Sequence, residues 1–84
     1  MTFEHDQSAD VLWVSLSEPA TKCVYMESQT PGVILRIEAS TGVIRGFEVI
    51  AWTRRVAAGP VLIPEIVDPG FQSEWLRTVQ NQVR

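Results

Sequence analysis

The chain holds a single cysteine and a single histidine among its 84 residues. Cys23 therefore has no partner for an intramolecular disulfide, and a Cys-rich metal site is excluded with it. A catalytic thiol wants a nearby histidine in an electropositive setting. His5 lies at the other end of the first candidate hairpin, so Cys23 reads as an inert, buried thiol. Basic residues are also few, with 7 Lys and Arg against 10 Asp and Glu, a net charge of -3 and a pI near 4.9. Such a chain lacks the cationic excess that drives general binding to nucleic acid phosphates. No apolar run approaches the roughly 20 residues of a membrane span. Met1 to Asp6 have neither the basic start nor the apolar middle of a secretory signal, and a cytoplasmic location in a bacterium-like cell is expected. Gly42-Val43-Ile44-Arg45-Gly46 lacks the third glycine, the lysine and the helix start of a phosphate loop. No serine stands in a nucleophile elbow. The expectation is a protein that is not an enzyme and carries no cofactor.

What is present suits one small globular domain spanning residues 1–84. Apolar residues make up 45% and charged residues 20% of the chain, a balance that disordered segments do not have. Thr2 to His5 is a short strand candidate, followed by a polar turn from Asp6 to Asp10. Val11 to Leu16 is apolar, β-branched and aromatic, with Leu12, Val14 and Leu16 on one face and Val11, Trp13 and Ser15 on the other. Lys22 to Glu27 and Val33 to Glu38 are further strands, separated by Pro31-Gly32 in the centre of a type II turn. Val43 to Ile50 follows a short loop ending at Gly42. Gly46, with no side chain to pack, predicts a bulge or a close neighbour.

The last third has a different pattern. Residues 51–59 fit either an extension of the last strand or a helical turn. Pro60 and Pro64 bracket a segment that is at most a short edge strand. Asp68 is placed as an N-cap before Pro69 at the first helical position. Phe71, Trp75, Leu76, Val79 and Val83 then form an apolar helical stripe, giving a helix over about 69–83. Glu74 and Arg77 are spaced to pair weakly on its wet face.

These parts predict an α+β fold, an antiparallel β-meander of about four to six strands over residues 1–58 packed by the C-terminal amphipathic helix of the 59–84 extension. One helix of about four turns cannot hide so apolar a sheet. Val11, Trp13, Ile34 and the region of Trp52 are then left for a second chain, and a homodimer is expected, through the sheet or through swapped C-terminal segments.

Two segments carry a family resemblance. One is Asp6-Gln7-Ser8-Ala9-Asp10-Val11-Leu12-Trp13-Val14-Ser15-Leu16. The other is Pro31-Gly32-Val33-Ile34-Leu35 with Gly42-Val43-Ile44-Arg45-Gly46-Phe47-Glu48-Val49. Over roughly residues 3–55 the chain resembles the small prokaryotic proteins grouped as domain of unknown function 2283. It departs from them at Trp13 in place of the commoner Tyr, at Ser8 in place of an acidic residue and in a less acidic turn at Glu38-Ala39-Ser40. The resemblance implies a small antiparallel sheet with a helix and no established activity. Because members are similar to components found beside small toxin-like proteins, it also implies an antitoxin or partner-binding role, without assigning any residue.

Asp6, Asp10 and Glu48 are the carboxylates inside those motifs. As a functional set they would form an acid pair or a hard-cation site. As structural residues, Asp6 and Asp10 bond their own turn, while Glu48 faces solvent or pairs with Arg36 or Arg45. His5 and Asp6 point apart along a strand and make no catalytic pair. Arg54 and Arg55, with Trp52 nearby, could stack on a base or grip a phosphate, but on an acidic domain they read as a solvated end or as partners of Glu48 or Glu65. Trp13, Trp52, Arg54 and Arg55 are the candidate interaction surface. Two functions follow. The first is a non-catalytic interaction domain whose acidic surface meets a small basic protein. The second is a metal- or ligand-binding domain or enzyme using Asp10 and Glu48. No metal, membrane or nucleic-acid partner is expected under the first.

Overall fold

In the computed structural model, residues Met1–Val79 are described. Five strands, β1 (Thr2–Asp6), β2 (Val11–Ser15), β3 (Cys23–Glu27), β4 (Val33–Glu38) and β5 (Ile44–Ile50), form one antiparallel sheet in the order β1-β2-β5-β4-β3. The fold is the expected α+β type with an antiparallel sheet, but the sheet is not the one continuous meander expected over residues 1–58, because β2 pairs with β5 rather than β3. It is assembled from two local units, the β1–β2 hairpin and the β3–β4–β5 meander. The units join where β2 pairs with β5, Val11 opposite Ile50 and Ser15 opposite Gly46. The tight turn before β4 has Gly32 at φ 79°, the left-handed backbone that its type II geometry needs.

Gly46 meets both expectations for it. Arg36 pairs with Gly46 but Ile37 pairs with Ile44, so Arg45 is an extra residue in β5. A Cβ at Gly46 would sit 2.5 Å from the Val14 carbonyl oxygen and 2.7 Å from Arg36 Nη2. The bulge takes Arg45 out of the strand's alternation, and its guanidinium reaches Glu38.

Period-two alternation places Leu12, Val14, Val33, Leu35, Phe47 and Val49 on the inner face, all buried. Of residues 51–59, for which the sequence allowed two conformations, Trp52–Ala58 form a helix, α1, with Ala51 and Gly59 at its ends. Ala51 at φ 57° ends β5 and redirects the chain. That turn carries Trp52 inward. Expected on an interaction surface, Trp52 is instead wholly buried, with its ring centroid 5.6 Å from that of Trp75.

The proline-bracketed segment is not a strand. It runs extended with Val61 and Ile63 turned into the core, and side chains fasten it in place of a ladder. Trp75 Nε1 donates to the Val61 carbonyl at 2.7 Å, Thr30 Oγ1 to that of Leu62 at 2.6 Å and Gln72 Nε2 to that of Ile63 at 3.0 Å.

Helix α2 (Pro69–Glu74) starts as predicted, with the Asp68 carboxylate accepting from Gly70 N at 2.9 Å and Pro69 in the first turn. It continues as a π-helical turn, Trp75–Val79. Phe71, Trp75 and Val79 are buried against this chain's own sheet. Phe47 meets Trp75 edge-on at 5.1 Å and Phe71 at 5.9 Å. The predicted helix beyond residue 79, with Val83, lies outside the described residues. Arg77 does not pair with Glu74; its Nη2 donates to Ser73 Oγ at 2.7 Å.

The two tryptophans Trp75 and Trp13 should therefore behave oppositely. Trp75→Ala should lose about 3–5 kcal/mol in urea unfolding, the usual cost of emptying a large core site. Trp13→Ala, on the half-exposed outer face, should stay within about 1 kcal/mol of wild type. The reverse order would put the hydrophobic core on the other side of the sheet.

Candidate functional site

Trp52, Val56, Val61, Ile63, Phe71, Trp75 and Val79 all join the buried cluster of the inner face, which leaves the outer face of the sheet without a covering layer among the described residues. Strand register arranges that face in rows. Glu4 is opposite Trp13, Trp13 opposite Glu48, Glu48 opposite Ile34 and Ile34 opposite Glu27. One row thus crosses the whole sheet as Glu4–Trp13–Glu48–Ile34–Glu27. None of its three carboxylates makes a side-chain hydrogen bond or ion pair among the described residues. The next row carries Thr2, Ser15, Gly46, Arg36 and Tyr25. Trp13 is 47% and Tyr25 63% exposed. The Arg36 guanidinium lies over Gly46, with Nη2 donating to Ser15 Oγ at 3.3 Å and a buried Nε that has no partner among the described residues. Glu48 was expected either in solvent or paired with Arg36 or Arg45. It stands half-buried and pairs with neither.

Asp6, Asp10 and Glu48 do not form a cluster. Asp6 Oδ1 accepts from Ser8 Oγ at 2.8 Å, Ser8 N at 3.1 Å and Ala9 N at 3.3 Å. The Ser8 hydroxyl and these amides hold its carboxyl below the ordinary value. That is the turn-closing role expected of it.

Asp10 differs from its expectation. It bonds not its own turn but the start of α1, accepting from Thr53 Oγ1 at 2.7 Å and Thr53 N at 3.2 Å, and it contacts His5 Nε2 at 2.9 Å. Its main-chain carbonyl accepts from Trp52 N at 2.9 Å. Ala51, at the N-cap position, has no side chain able to cap, so Asp10 supplies the cap from the hairpin. The Thr53 hydroxyl, then His5, lower its carboxyl pKa. Among the described residues no three His, Cys, Asp or Glu side chains gather as a metal would need.

The most connected carboxylate was not singled out in the sequence. Glu38 is 1% exposed. Its Oε1 accepts from Arg45 Nε at 2.9 Å and pairs with Nη2 at 2.7 Å. Its Oε2 accepts from Thr21 N at 2.8 Å, Thr21 Oγ1 at 2.9 Å and Ala20 N at 2.9 Å. A glutamate ending an apolar strand, with an arginine seven positions on in a strand containing a glycine, is the only trace of this arrangement. Glu65 is also committed, accepting from Ser28 Oγ and Gln29 N, each at 2.7 Å. Partial burial opposes its ionisation, but those two bonds prevail and lower its pKa. Cys23 is half-buried, less enclosed than expected.

Neither Glu48 nor Glu65 pairs with the arginines of α1. Arg55 Nε donates to the Ile50 carbonyl at 2.8 Å, and Arg54 has no partner among the described residues. Also among these residues, no helix is long and apolar enough to cross a membrane. No family model, curated protein or solved structure matches the chain.

Glu38 makes the fold sensitive to acid. The Arg45 guanidinium, opposed by desolvation and helped by Thr21 and the Ala20 amide, holds its carboxyl at about 2 against an ordinary 4.5. The folded value lies below the unfolded one. Its stabilisation is therefore complete above pH 4.5 and is lost as pH falls toward 2. Asp6, Asp10 and Glu65 shift the same way. Glu38→Gln should lower the melting midpoint at neutral pH and flatten, without abolishing, the decline of stability in that acid window. An unchanged slope would show that Glu38 is not a titrating anchor.

Proposed function

We propose that this chain is a non-catalytic binding module that presents its outer sheet face to a small basic protein. The observation supporting it most is the row of three unpaired carboxylates alternating with an indole and an isoleucine. Alternate strands set those carboxylates about 9.5 Å apart, an interval that lysines or arginines on one partner segment can match. Trp13 and Tyr25 offer aromatic faces to the cations and apolar surface to their aliphatic stems. Opposite charge steers the encounter, and the apolar groups beside it hold the complex.

A second copy of the chain suits this face less well than a basic partner. A two-fold contact centred on β5, the middle strand, sets Glu48 and its row against the same carboxylates of the copy. The resemblance of residues 3–55 to domain of unknown function 2283 adds support through its toxin-adjacent members. On this reading the module is antitoxin-like and works in the cytoplasm of a bacterial cell.

Wild type and a Glu4→Gln, Glu27→Gln, Glu48→Gln triple variant, immobilised at low salt, should separate the outcomes in host lysate. Wild type should retain a small protein of pI above about 9, eluted by raised salt. The triple variant and Trp13→Ala should lose it while keeping wild-type melting midpoints. Equal capture by the variants, or no basic protein at all, overturns the reading. So does a sedimentation experiment in which pure wild type is a dimer that Trp13→Ala dissociates.

A further inference from the structure

Between α1 and the loops at Pro31 and Pro60 lies an open cleft of about 370 Å³, with Val61 and Ala51 among its walls and Arg54 and Arg55 at its side. That volume lies within the range of small-ligand sites. It shares no residue with the carboxylate row of the outer face. Three observations give it a chemistry.

The first is that Arg55 is positioned in advance. Its Nε is tied to the Ile50 carbonyl at 2.8 Å, and its guanidinium rests on Gly32, where a Cβ would collide with Nε, Cζ and Nη2. The glycine that the type II turn needs thus also makes room for the guanidinium. An arginine already held by its Nε loses less freedom when its other donors bind a ligand.

The second is that those other donors are unused. Arg55 makes no other hydrogen bond and no ion pair among the described residues, and Arg54 makes none. Glu65, which the sequence offered as a partner for them, is turned to Ser28 and Gln29. Two adjacent cations thus go unpaired on a chain with a net charge of -3.

The third is that the remaining walls are mostly small and apolar, including Pro31, Ala51, Ala58 and Val61. Planar forked donors beside an apolar hollow match a planar anion carried on a short aliphatic body. A phosphate, tetrahedral and strongly hydrated, would leave the apolar walls without contacts.

We propose that this cleft binds a carboxylate borne on a short aliphatic group, with Arg55 as the forked donor and Arg54 as the second cation. A small free acid and the C-terminus of a peptide share that chemistry.

Titration of ¹⁵N-labelled protein, followed at the Arg55 Nε–H and Gly32 amide resonances, tests it. The probes are isobutyrate, acetyl-Ala-Ala-valine with a free carboxylate, the same peptide as its C-terminal amide, and inorganic phosphate. Saturable shifts confined to these resonances are expected with isobutyrate, with the free-acid peptide or with both. Which of the two binds more tightly identifies the source of the carboxylate. The amide should fail to bind, and Arg55→Lys should weaken binding at least about tenfold by losing the fork. Arg54→Gln, on an exposed side chain, should weaken it less and keep the fold. Saturation by the amide or preference for phosphate overturns the proposal. So does the absence of saturable shifts in wild type, whatever the variants do.

Discussion

Pairing of β2 with β5 is the contact on which the rest of the molecule depends. The β1–β2 hairpin and the β3–β4–β5 meander each close through neighbours in sequence, and neither buries a face alone. Joined through β2 and β5, they set Leu12 and Val14 beside Val49 and Phe47, and this apolar square is what Trp52, Trp75 and Phe71 cover. The same pairing puts the end of the hairpin next to the end of β5. There the Asp10 carbonyl and carboxylate receive the first amides of α1. A helix of seven residues with no cap of its own is marginal in isolation; here a distant turn caps it and its two buried residues anchor it.

Carboxylates on this small domain have divided roles. Glu38, enclosed at the end of β4, has donors for both oxygens, because a buried carboxylate without them would be untenable. Asp6, Asp10 and Glu65 tie loops to backbone amides. Among the described residues, Glu4, Glu27 and Glu48 have no such task and lie in one row on the face that no helix covers. Structural duties thus account for the first group and not for the second. The arginines divide in parallel. Arg45 is neutralised by Glu38, whereas Arg55 is fixed in place without an acidic partner among the described residues. Both Arg36 and Arg55 lie over glycines, Gly46 and Gly32, where only a missing side chain lets a guanidinium approach the backbone so closely.

Much of the fold was legible because it is written in short-range patterns. Alternation in Val11–Ser15 and Val33–Ile37 predicts which side chains face inward, and Asp68-Pro69 predicts the start of α2. Gly46 announced an irregularity that proved to be both a bulge and a close contact. Less was legible in the site. Trp13 stood out as an aromatic on the strand face opposite Leu12 and Val14, but its place between Glu4 and Glu48 depends on strand order. Trp52 was misplaced, since a tryptophan beside two arginines reads as surface until the turn at Ala51 is known. Asp10 was assigned to its own turn, and Glu38 was not singled out at all.

Sequence alone determined the strands, the turns, the type of the last helix and the excess of negative charge, because periodicity, glycine and proline act through backbone geometry within a few residues. Tertiary structure decided the order of the strands, the inward turn of Trp52 and the employment of each charged group. Asp10 meets Thr53 from 43 residues away, and Glu38 meets Thr21 from 17 residues away. Contacts at such separations depend on which faces pack together, and no local pattern encodes them.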